Sequence, residues 1–351
     1  MSKLRSGFTT GTCAAAAAKA AARFLLDGTA LKAVEITIPA GDRIVIPILY
    51  ARENQGAAEA AVRKDAGDDP DVTNGVTVIA SVAGIEGDEV VIAAGEGVGT
   101  VTKPGLSVPP GEPAVNPGPR RMIRDAVREV TDGGMRVTIS IPGGKEIAAK
   151  TFNPRLGITG GLSILGTSGR VRPFSCSALR TSLKCLLDVA VASGISAPVF
   201  VPGHIGERAA NRHFRLTSGQ VIEVSNEWGF MLNCAAGQGF EALMVLGHPG
   251  KLAKLAMGEW DTHSARSKSA LPFVSDLAGD SLGRPIQGIP TVEGLFAALS
   301  IGERKVLGDT LAGRVRMAVC ERVGSHTDIA AVLVNMRGEI IGVDGDLKRW
   351  I

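Results

Sequence analysis

The sequence predicts a mixed α/β or α+β protein made of two domains with layered helices and sheets, and three observations lead to this fold class. The chain has 351 residues, which suggests two domains at roughly 100–200 residues per domain. Amphipathic helical segments and short apolar strands occur together along the chain, as in α/β and α+β proteins. Hydrophobic residues make up 45% and charged residues 21%, which excludes a disordered chain. We place the domain boundary near residue 150, giving an N-terminal α/β domain over 1–150 and a C-terminal α/β domain over 151–351.

The first half of the chain begins with a helix and continues mainly with strands. Thr9 and the residues after it lead into an Ala-rich helix over Cys13–Leu26, because threonine caps helix starts. Gly56–Lys64 is interpreted as a short helix, and Pro119 begins another that runs to Val130. The predicted strands are Val34–Ile38, Ile44–Tyr50, Val76–Ala83, Glu89–Ala93 and Met135–Ile141.

Helices and strands alternate in the second half. The predicted helices are Ser175–Ser193, Ile205–His213, Asn226–Ala236, Lys251–Met257, Val292–Leu299 and Lys305–Val323. The predicted strands are Ala197–Val201, Val221–Val224, Ala242–Leu246 and Ile329–Val334, the last followed by a hairpin at Arg337–Gly338. This alternation is typical of α/β units.

Charge, cysteine content and hydropathy exclude several classes of protein. A formal net charge of +3 is too small to imply nucleic-acid binding. The five cysteines are odd in number and none lies in a CxxC pair, so we expect a reducing, cytoplasmic location and no protein-bound metal. No uncharged apolar run approaches the ~18 residues of a membrane span, and we expect no membrane partner.

Four glycine-rich loops are candidates for ligand binding. Gly7–Thr12 precedes a helix and is either an anion site or an ordinary helix cap. Gly95–Gly99 follows a strand, as in dinucleotide-binding folds, but Pro104 and the prolines after it prevent a helix from starting there. This excludes a standard Rossmann methyltransferase and leaves a nucleotide-dependent oxidoreductase as a weaker alternative.

The third and fourth loops add charge and a histidine. Asn153–Gly169 contains five glycines, and residues 145–172 hold five basic residues and one acid, a net charge of +4 that suits a polyanionic ligand. Gly247–Lys251 joins a strand to a helix, and Asp261 and His263 follow it. His263 is either a general base or a structural residue.

Several motifs together resemble one family, the cobalt-precorrin-5B C-1-methyltransferases of anaerobic-type cobalamin biosynthesis. They are GFTTGTCAAAAAKAA, GEGVGTVTKPGL, PPGEPAVNPGPRRMI, NPRLGITGGLSILGTSG, SNEWGFML and GHPGKLAKLAMGEWDTHS. The resemblance covers about the first three-quarters of the chain. It implies a fold particular to this family, S-adenosylmethionine as methyl donor and a small-molecule corrinoid substrate, with any cobalt held inside that substrate. Asp261 departs from the asparagine expected there, so a role for residue 261 as a neutral hydrogen-bond donor is in doubt.

On this resemblance we predict the residues of each site. The substrate contacts are Thr9, Thr10, Lys103, Arg120, Arg121 and Arg155; the donor-binding residues are Gly160, Gly161, Gly166, Thr167 and Ser168; and the catalytic base is His263. The competing hypothesis is a non-catalytic tetrapyrrole carrier or scaffold protein, which would bind corrinoid without S-adenosylmethionine. A homo-oligomer is possible, and the sequence leaves open whether the substrate carries cobalt.

Overall fold

The chain forms two compact units in a computed structural model that describes residues 4–286 and 288–351. Unit 1 is Met1–Cys176 and unit 2 is Ser177–Ile351. The division lies later than the predicted boundary near residue 150, because the chain beyond 150 still pairs with unit 1: Ile158–Thr159 with Thr100–Val101, and Arg170–Val171 with Gly7–Phe8. In the described part of the chain, no helix is long and apolar enough to span a bilayer.

Unit 1 is dominated by strands. Its elements in chain order are β1 (Gly7–Phe8), α1 (Thr10–Asp27), β2 (Ala33–Thr37), β3 (Arg43–Pro47), β4 (Tyr50–Asn54), β5 (Ala57–Arg63), β6 (Thr77–Gly84), β7 (Val90–Ala94), β8 (Thr100–Val101), α2 (Pro117–Arg128), β9 (Met135–Ser140), α3 (Gly144–Ala148), β10 (Ile158–Thr159) and β11 (Arg170–Val171). No helix follows Gly99 before α2, as predicted from the prolines there.

The core of unit 1 lies between α1 and a five-stranded sheet. The strand order is β4-β5-β6-β9-β7, with only β9 and β7 parallel. The alanines of α1 from Ala14 to Ala22 are fully buried and pack on β5, β6 and α2. Alanine favours helix formation, and its small side chain allows the helix axis to lie close to the sheet.

The predicted helix over Gly56–Lys64 is wrong, because this segment forms strand β5. Ala58 and Ala60 are almost completely buried between β4 and β6, under α1. Two neighbouring strands satisfy the backbone hydrogen bonds, and the small side chains fit beneath the alanine face of α1. Tertiary packing here overrides the helix propensity of alanine.

Unit 2 alternates helices and strands. Its elements are α4 (Cys176–Ala192), which begins at the division between the units, β12 (Val199–Val201), α5 (His204–His213), β13 (Val221–Glu223), α6 (Trp228–Ala236), β14 (Ala242–Gly247), α7 (Pro249–Ala256), α8 (Leu271–Leu282), α9 (Val292–Ala298), α10 (Ile301–Val323), β15 (Asp328–Val334) and β16 (Ile340–Asp344). Helix α8 has no counterpart among the sequence predictions. The mixed α/β fold class is confirmed.

The sheet of unit 2 is doubly wound. Its strand order is β13-β12-β14-β15-β16, and all pairs are parallel except β15 with β16. The chain moves outward from β12 to β13 and then back across to β14, so the direction of winding reverses between β12 and β14. Right-handed crossovers therefore place α5 on one face and α6 and α7 on the other. In open sheets of this kind, ligands bind beyond the carboxyl ends of the strands at the point of reversal.

Candidate functional site

The start of α1 and the loop at Leu165–Gly169 are held together by the threonines of the first motif. Thr10 Oγ1 accepts a hydrogen bond from Leu165 N at 2.9 Å, and Gly11 N donates to Leu165 O at 2.8 Å. Thr12 Oγ1 donates to Gly169 O at 2.7 Å, while Thr9 Oγ1 caps the helix by accepting from Thr12 N at 3.2 Å. The donors of Gly11 and Thr12 are thus used within the protein. This geometry favours the helix-cap interpretation over the anion-site interpretation.

Gly166 is packed against this helix start. Its φ is +150°, and a β-carbon added to it would lie 2.2 Å from Thr9 Oγ1. The structure thus brings together three predicted residues, Thr9, Thr10 and Gly166, from the substrate and donor sets. Thr167 and Ser168 follow in the same loop and are exposed. Contact between two chain segments accounts for the glycine at 166.

The other predicted loop residues lie around the β8–β10 pair. A β-carbon at Gly161 would lie 2.2 Å from Gly97 O, so this glycine also permits a close approach of two backbones. Gly160 has a φ of +83° and open space beside it. Gly157 packs on the methylene groups of Lys103, and Arg155 is half-buried in the same loop.

The two adjacent arginines at the start of α2 differ. Arg120 donates from Nε to Val115 O at 2.7 Å and from Nη2 to Glu112 Oε2 at 2.8 Å. Its guanidinium therefore fixes the loop before α2. Arg121 is exposed on the helix, so of the pair it is better placed to meet a ligand from solvent.

The segment that contains Asp261 and His263 forms a tight turn in unit 2. Asp261 Oδ1 accepts from His263 N at 3.0 Å, and its Oδ2 accepts from Arg266 Nε at 2.6 Å. Partial burial works to raise the pKa of Asp261, but these two hydrogen bonds outweigh it and lower the pKa. Residue 261 therefore acts as a charged acceptor. His263 Nδ1 accepts from Ala265 N at 3.2 Å, which places the proton of the neutral ring on Nε2.

Two of the motifs, SNEWGFML and GHPGKLAKLAMGEWDTHS, meet at the carboxyl end of the unit 2 sheet, around Asn226. Asn226 Oδ1 accepts from Lys251 Nζ at 2.9 Å and from Thr262 Oγ1 at 3.2 Å. Burial lowers the pKa of Lys251, and the nearby charge of Lys254 lowers it further, while Glu223 opposes both. Ser225, next to Asn226, holds a φ of +54°. Such strained backbone at a non-glycine residue clusters at functional sites.

The residue after Asn226 carries a buried carboxylate. Glu227 is 3% exposed and accepts from Arg180 Nε at 2.7 Å, with Arg266 Nη2 at 4.0 Å. The pairing is what makes a buried charge tolerable. In contrast, His248 is used as a helix cap: its Nδ1 accepts from Gly250 N at 3.0 Å and its Nε2 lies 2.7 Å from Glu293 Oε2.

The reversal point itself is lined by glycines and an acid. A β-carbon at Gly247, which ends β14, would lie 2.9 Å from the ring of Pro202, which follows β12. Gly203 follows Pro202 and caps α5, and Glu223 ends β13 in register with Val201. One ligand atom from each of His204, Glu207 and Glu223 lies within 4.8 Å of the others. These donors are of the kind that could hold a divalent cation, although the His204 side chain is 81% exposed.

A pocket of about 370 Å³ lies beside this edge, between α5 and the turn after β15. Its lining combines three arginines, Arg208, Arg212 and Arg337, with apolar side chains that include Ile205 and Ala209. Guanidinium groups around apolar surface suit a flat apolar ligand that carries carboxylates.

Sequence reasoning missed Glu223, Asn226, Lys251 and the three arginines of this pocket. The available signal was the spacing of Gly203 and Glu223, which lie 20 residues apart: Gly203 shortly after the predicted strand Ala197–Val201, and Glu223 within the predicted strand Val221–Val224. The motifs SNEWGFML and GHPGKLAKLAMGEWDTHS carry part of the family resemblance, but their convergence depends on the strand order.

The sheet of unit 2 is doubly wound, and sheets of this class bind their ligands beyond the carboxyl ends of the strands. Comparison with known proteins identifies the family. The sequence profile of the CbiD family matches residues 1–173. The chain is 55% identical over 350 residues to a Syntrophotalea carbinolica protein named cobalt-precorrin-5B C(1)-methyltransferase, with 100% of both chains covered. The chain therefore belongs to the CbiD family, and the family expected from its motifs is confirmed.

A more distant relative carries the same name, and a solved structure is also similar to this chain. A Methanocaldococcus jannaschii protein named cobalt-precorrin-5B C(1)-methyltransferase is 43% identical and covers 97% of this chain and 96% of its own. A solved structure titled cobalamin biosynthesis protein (cbiD), from Archaeoglobus fulgidus, is 32% identical, with a TM-score of 0.40 over 75% of this chain and 83% of that chain.

Proposed function

We propose that this protein transfers the methyl group of S-adenosylmethionine to C-1 of cobalt-precorrin-5B, or of its cobalt-free equivalent, giving the precorrin-6A-level intermediate of cobalamin biosynthesis. The observation that carries the proposal is the 55% identity, over the full length of both chains, with a protein bearing that name. We also propose a cytoplasmic location, supported by five free cysteines.

Methyl transfer from S-adenosylmethionine depends mainly on how the two reactants are positioned. An electron pair at C-1 attacks the methyl carbon as the bond from that carbon to sulfur breaks, and S-adenosylhomocysteine leaves as a neutral thioether. The leaving group needs no proton, so in-line alignment supplies most of the rate enhancement. A site of glycine turns and paired charges is compatible with this reaction.

Arginines are the proposed partners of the substrate's acid side chains. Arg208, Arg212 and Arg337 line a pocket together with apolar side chains, and the predicted residues Lys103, Arg121 and Arg155 remain candidates on unit 1. We favour the pocket because its cationic and apolar surfaces occur together, as a macrocycle with peripheral carboxylates requires. Arg120 is the weaker candidate, since its guanidinium already binds Val115 O and Glu112.

His263 remains the proposed base that takes up a proton during methyl addition. The lone pair that could take up the proton is on Nδ1, and it already accepts a hydrogen bond from Ala265 N at 3.2 Å. The role therefore requires the turn at Ser264–Ala265 to open when substrate binds. If the turn stays closed, His263 can only donate through Nε2.

The test of the proposed function is a methyl-transfer assay. Purified protein is incubated with methyl-labelled S-adenosylmethionine and either cobalt-precorrin-5B or its cobalt-free equivalent, and the corrinoid is analysed by mass spectrometry. Gain of one labelled methyl group at C-1 is expected with at least one of the two. Corrinoid binding without binding of S-adenosylmethionine or transfer would establish the carrier alternative instead.

A further inference from the structure

We propose that Glu223, at the carboxyl end of β13, accepts hydrogen bonds from the ribose hydroxyls of the adenosine co-substrate, whose ribose lies against the backbone of Gly203. This inference rests on the proposed function, because it takes the co-substrate to be S-adenosylmethionine. It moves the donor site from the loop over Gly160–Ser168 to the carboxyl edge of the unit 2 sheet.

The backbone at Gly203 is built for close approach. Its φ of +157° and ψ of −166° lie in a region essentially restricted to glycine. Gly206, three residues on, serves a different purpose: its β-carbon would lie 2.9 Å from Val201 Cβ, so the glycine lets α5 pack closely on β12. One glycine for ligand approach and one for helix packing, three residues apart after the first strand, match two of the three glycine roles in dinucleotide-binding turns.

Glu223 lies at the position where an acid binds the ribose in doubly wound nucleotide sites. Glu223 follows Gly203 by 20 residues, and β13 lies next to β12 in the parallel sheet. A β-carbon at Gly203 would be 3.6 Å from Glu223 Oε1, so this carboxylate borders the glycine turn. An acid about 20 residues after the turn that hydrogen-bonds a ribose hydroxyl is the arrangement found in doubly wound nucleotide sites.

The loop at Gly160–Ser168 lacks this arrangement. Gly161 and Gly166 are required by backbone and side-chain contacts with Gly97 and Thr9. Ser168 Oγ donates to Arg170 O at 3.0 Å within its own turn. These contacts give the loop a structural role without a ligand.

Isothermal titration with S-adenosylhomocysteine tests the inference, using the full chain with and without a corrinoid product analogue. Glu223→Gln keeps the shape of the side chain and removes its charge, and we expect it to weaken binding about 10- to 100-fold, the range for losing a charge-assisted hydrogen bond. An adenosine analogue without the 2′ and 3′ hydroxyls should bind wild type weakly, and its binding should not change with the substitution.

The matched control is Glu241→Gln, which removes an exposed carboxylate just before β14, at the amino end of that strand. Its affinity should equal that of wild type, and thermal melts establish that both variants are folded.

The outcomes separate the two proposals. If wild type binds S-adenosylhomocysteine and Glu223→Gln binds it equally well, the ribose assignment is overturned while the proposed function stands. If wild type binds NAD but not S-adenosylhomocysteine, and Glu223→Gln loses NAD, the ribose site is supported and the proposed methyl donor is overturned. If chelation by EDTA abolishes binding to wild type and His204→Ala does the same, the carboxylate holds a metal ion, which overturns the ribose assignment.

Discussion

Replacing Gly166 by alanine separates a structural role of the predicted donor loop from a ligand-binding role. The added β-carbon would lie 2.2 Å from Thr9 Oγ1, 2.9 Å from Thr9 Cβ and 3.3 Å from Thr9 Cγ2. Overpacking of this kind costs about 1–3 kcal/mol, and a non-glycine residue at a φ of +150° adds about 1–3 kcal/mol of backbone strain. We therefore expect Gly166→Ala to lower the free energy of unfolding by about 2–6 kcal/mol.

Two further variants divide this cost into its parts. All three close atoms belong to the side chain of Thr9, so Thr9→Gly removes the collision, and glycine at a helix cap costs only a few tenths of a kcal/mol. In the double variant, only the backbone strain should remain, giving a coupling energy of about 1–3 kcal/mol. Gly160→Ala is the control, because its φ of +83° carries strain but no atom lies within 4 Å.

Urea unfolding followed by circular dichroism gives these energies, and titration with S-adenosylhomocysteine gives donor affinity on the same preparations. A stability loss that Thr9→Gly relieves, with donor affinity retained, agrees with the packing described above. A Gly166→Ala protein of normal stability that no longer binds the donor would refute this reasoning and place the ligand in the loop.

Three other perturbations follow from contacts in the structure. Arg120→Ala should lower the free energy of unfolding by about 1–2 kcal/mol, because Val115 O and Glu112 lose their hydrogen-bond donor. Arg121→Ala should melt like wild type, and equal melting temperatures for the two variants would contradict the structural role of Arg120. Burial raises the pKa of Cys13 to about 12, so iodoacetamide at pH 8 should modify exposed Cys176 first and leave Cys13 unmodified until unfolding, as peptide mass mapping would show. Hydrogen bonds from Arg284 and from Ser300 at the cap of α10 lower the pKa of Glu303 from 4.5 to about 2. The stabilisation by the ionised Glu303 is therefore full above pH 4.5 and lost as the pH falls toward 2. The difference in melting temperature between wild type and Glu303→Gln should vanish over that interval and not persist below it.

Much of the fold follows from local sequence, and its exceptions have a physical cause. The helix α1 and the alternation from β12 to α7 were predictable because capping residues and hydrophobic periodicity act over a few residues. Strand β5 was not, since its alanines form a strand only when β4, β6 and α1 surround them. Helix α8 went unpredicted, although a proline in the first turn, here Pro272, is favourable at a helix start.

The glycine-rich loops show the same limit for the site. A glycine that meets a ligand and a glycine that meets a distant backbone have the same sequence signature, and only the folded chain tells them apart. Gly97 lies against Ile141 O, and Gly161 against Gly97 O, contacts that no local pattern contains. The charge excess over residues 145–172 likewise does not distinguish a ligand surface from a solvated one.

Predicting a site at the carboxyl edge of the unit 2 sheet requires both the local sequence and the order of the strands. The pair of Gly203 and Glu223 can be read from spacing alone, but its significance depends on β13 lying beside β12 and on the chain then returning to β14. That return brings Lys251 and Thr262 to Asn226, at 2.9 and 3.2 Å. Asp261 fits the same picture: paired with Arg266, it needs only to accept hydrogen bonds, so a carboxylate can stand where the motif leads one to expect an amide. The departure from the family pattern at this position therefore leaves the turn intact, and Thr262 beside it still donates to Asn226.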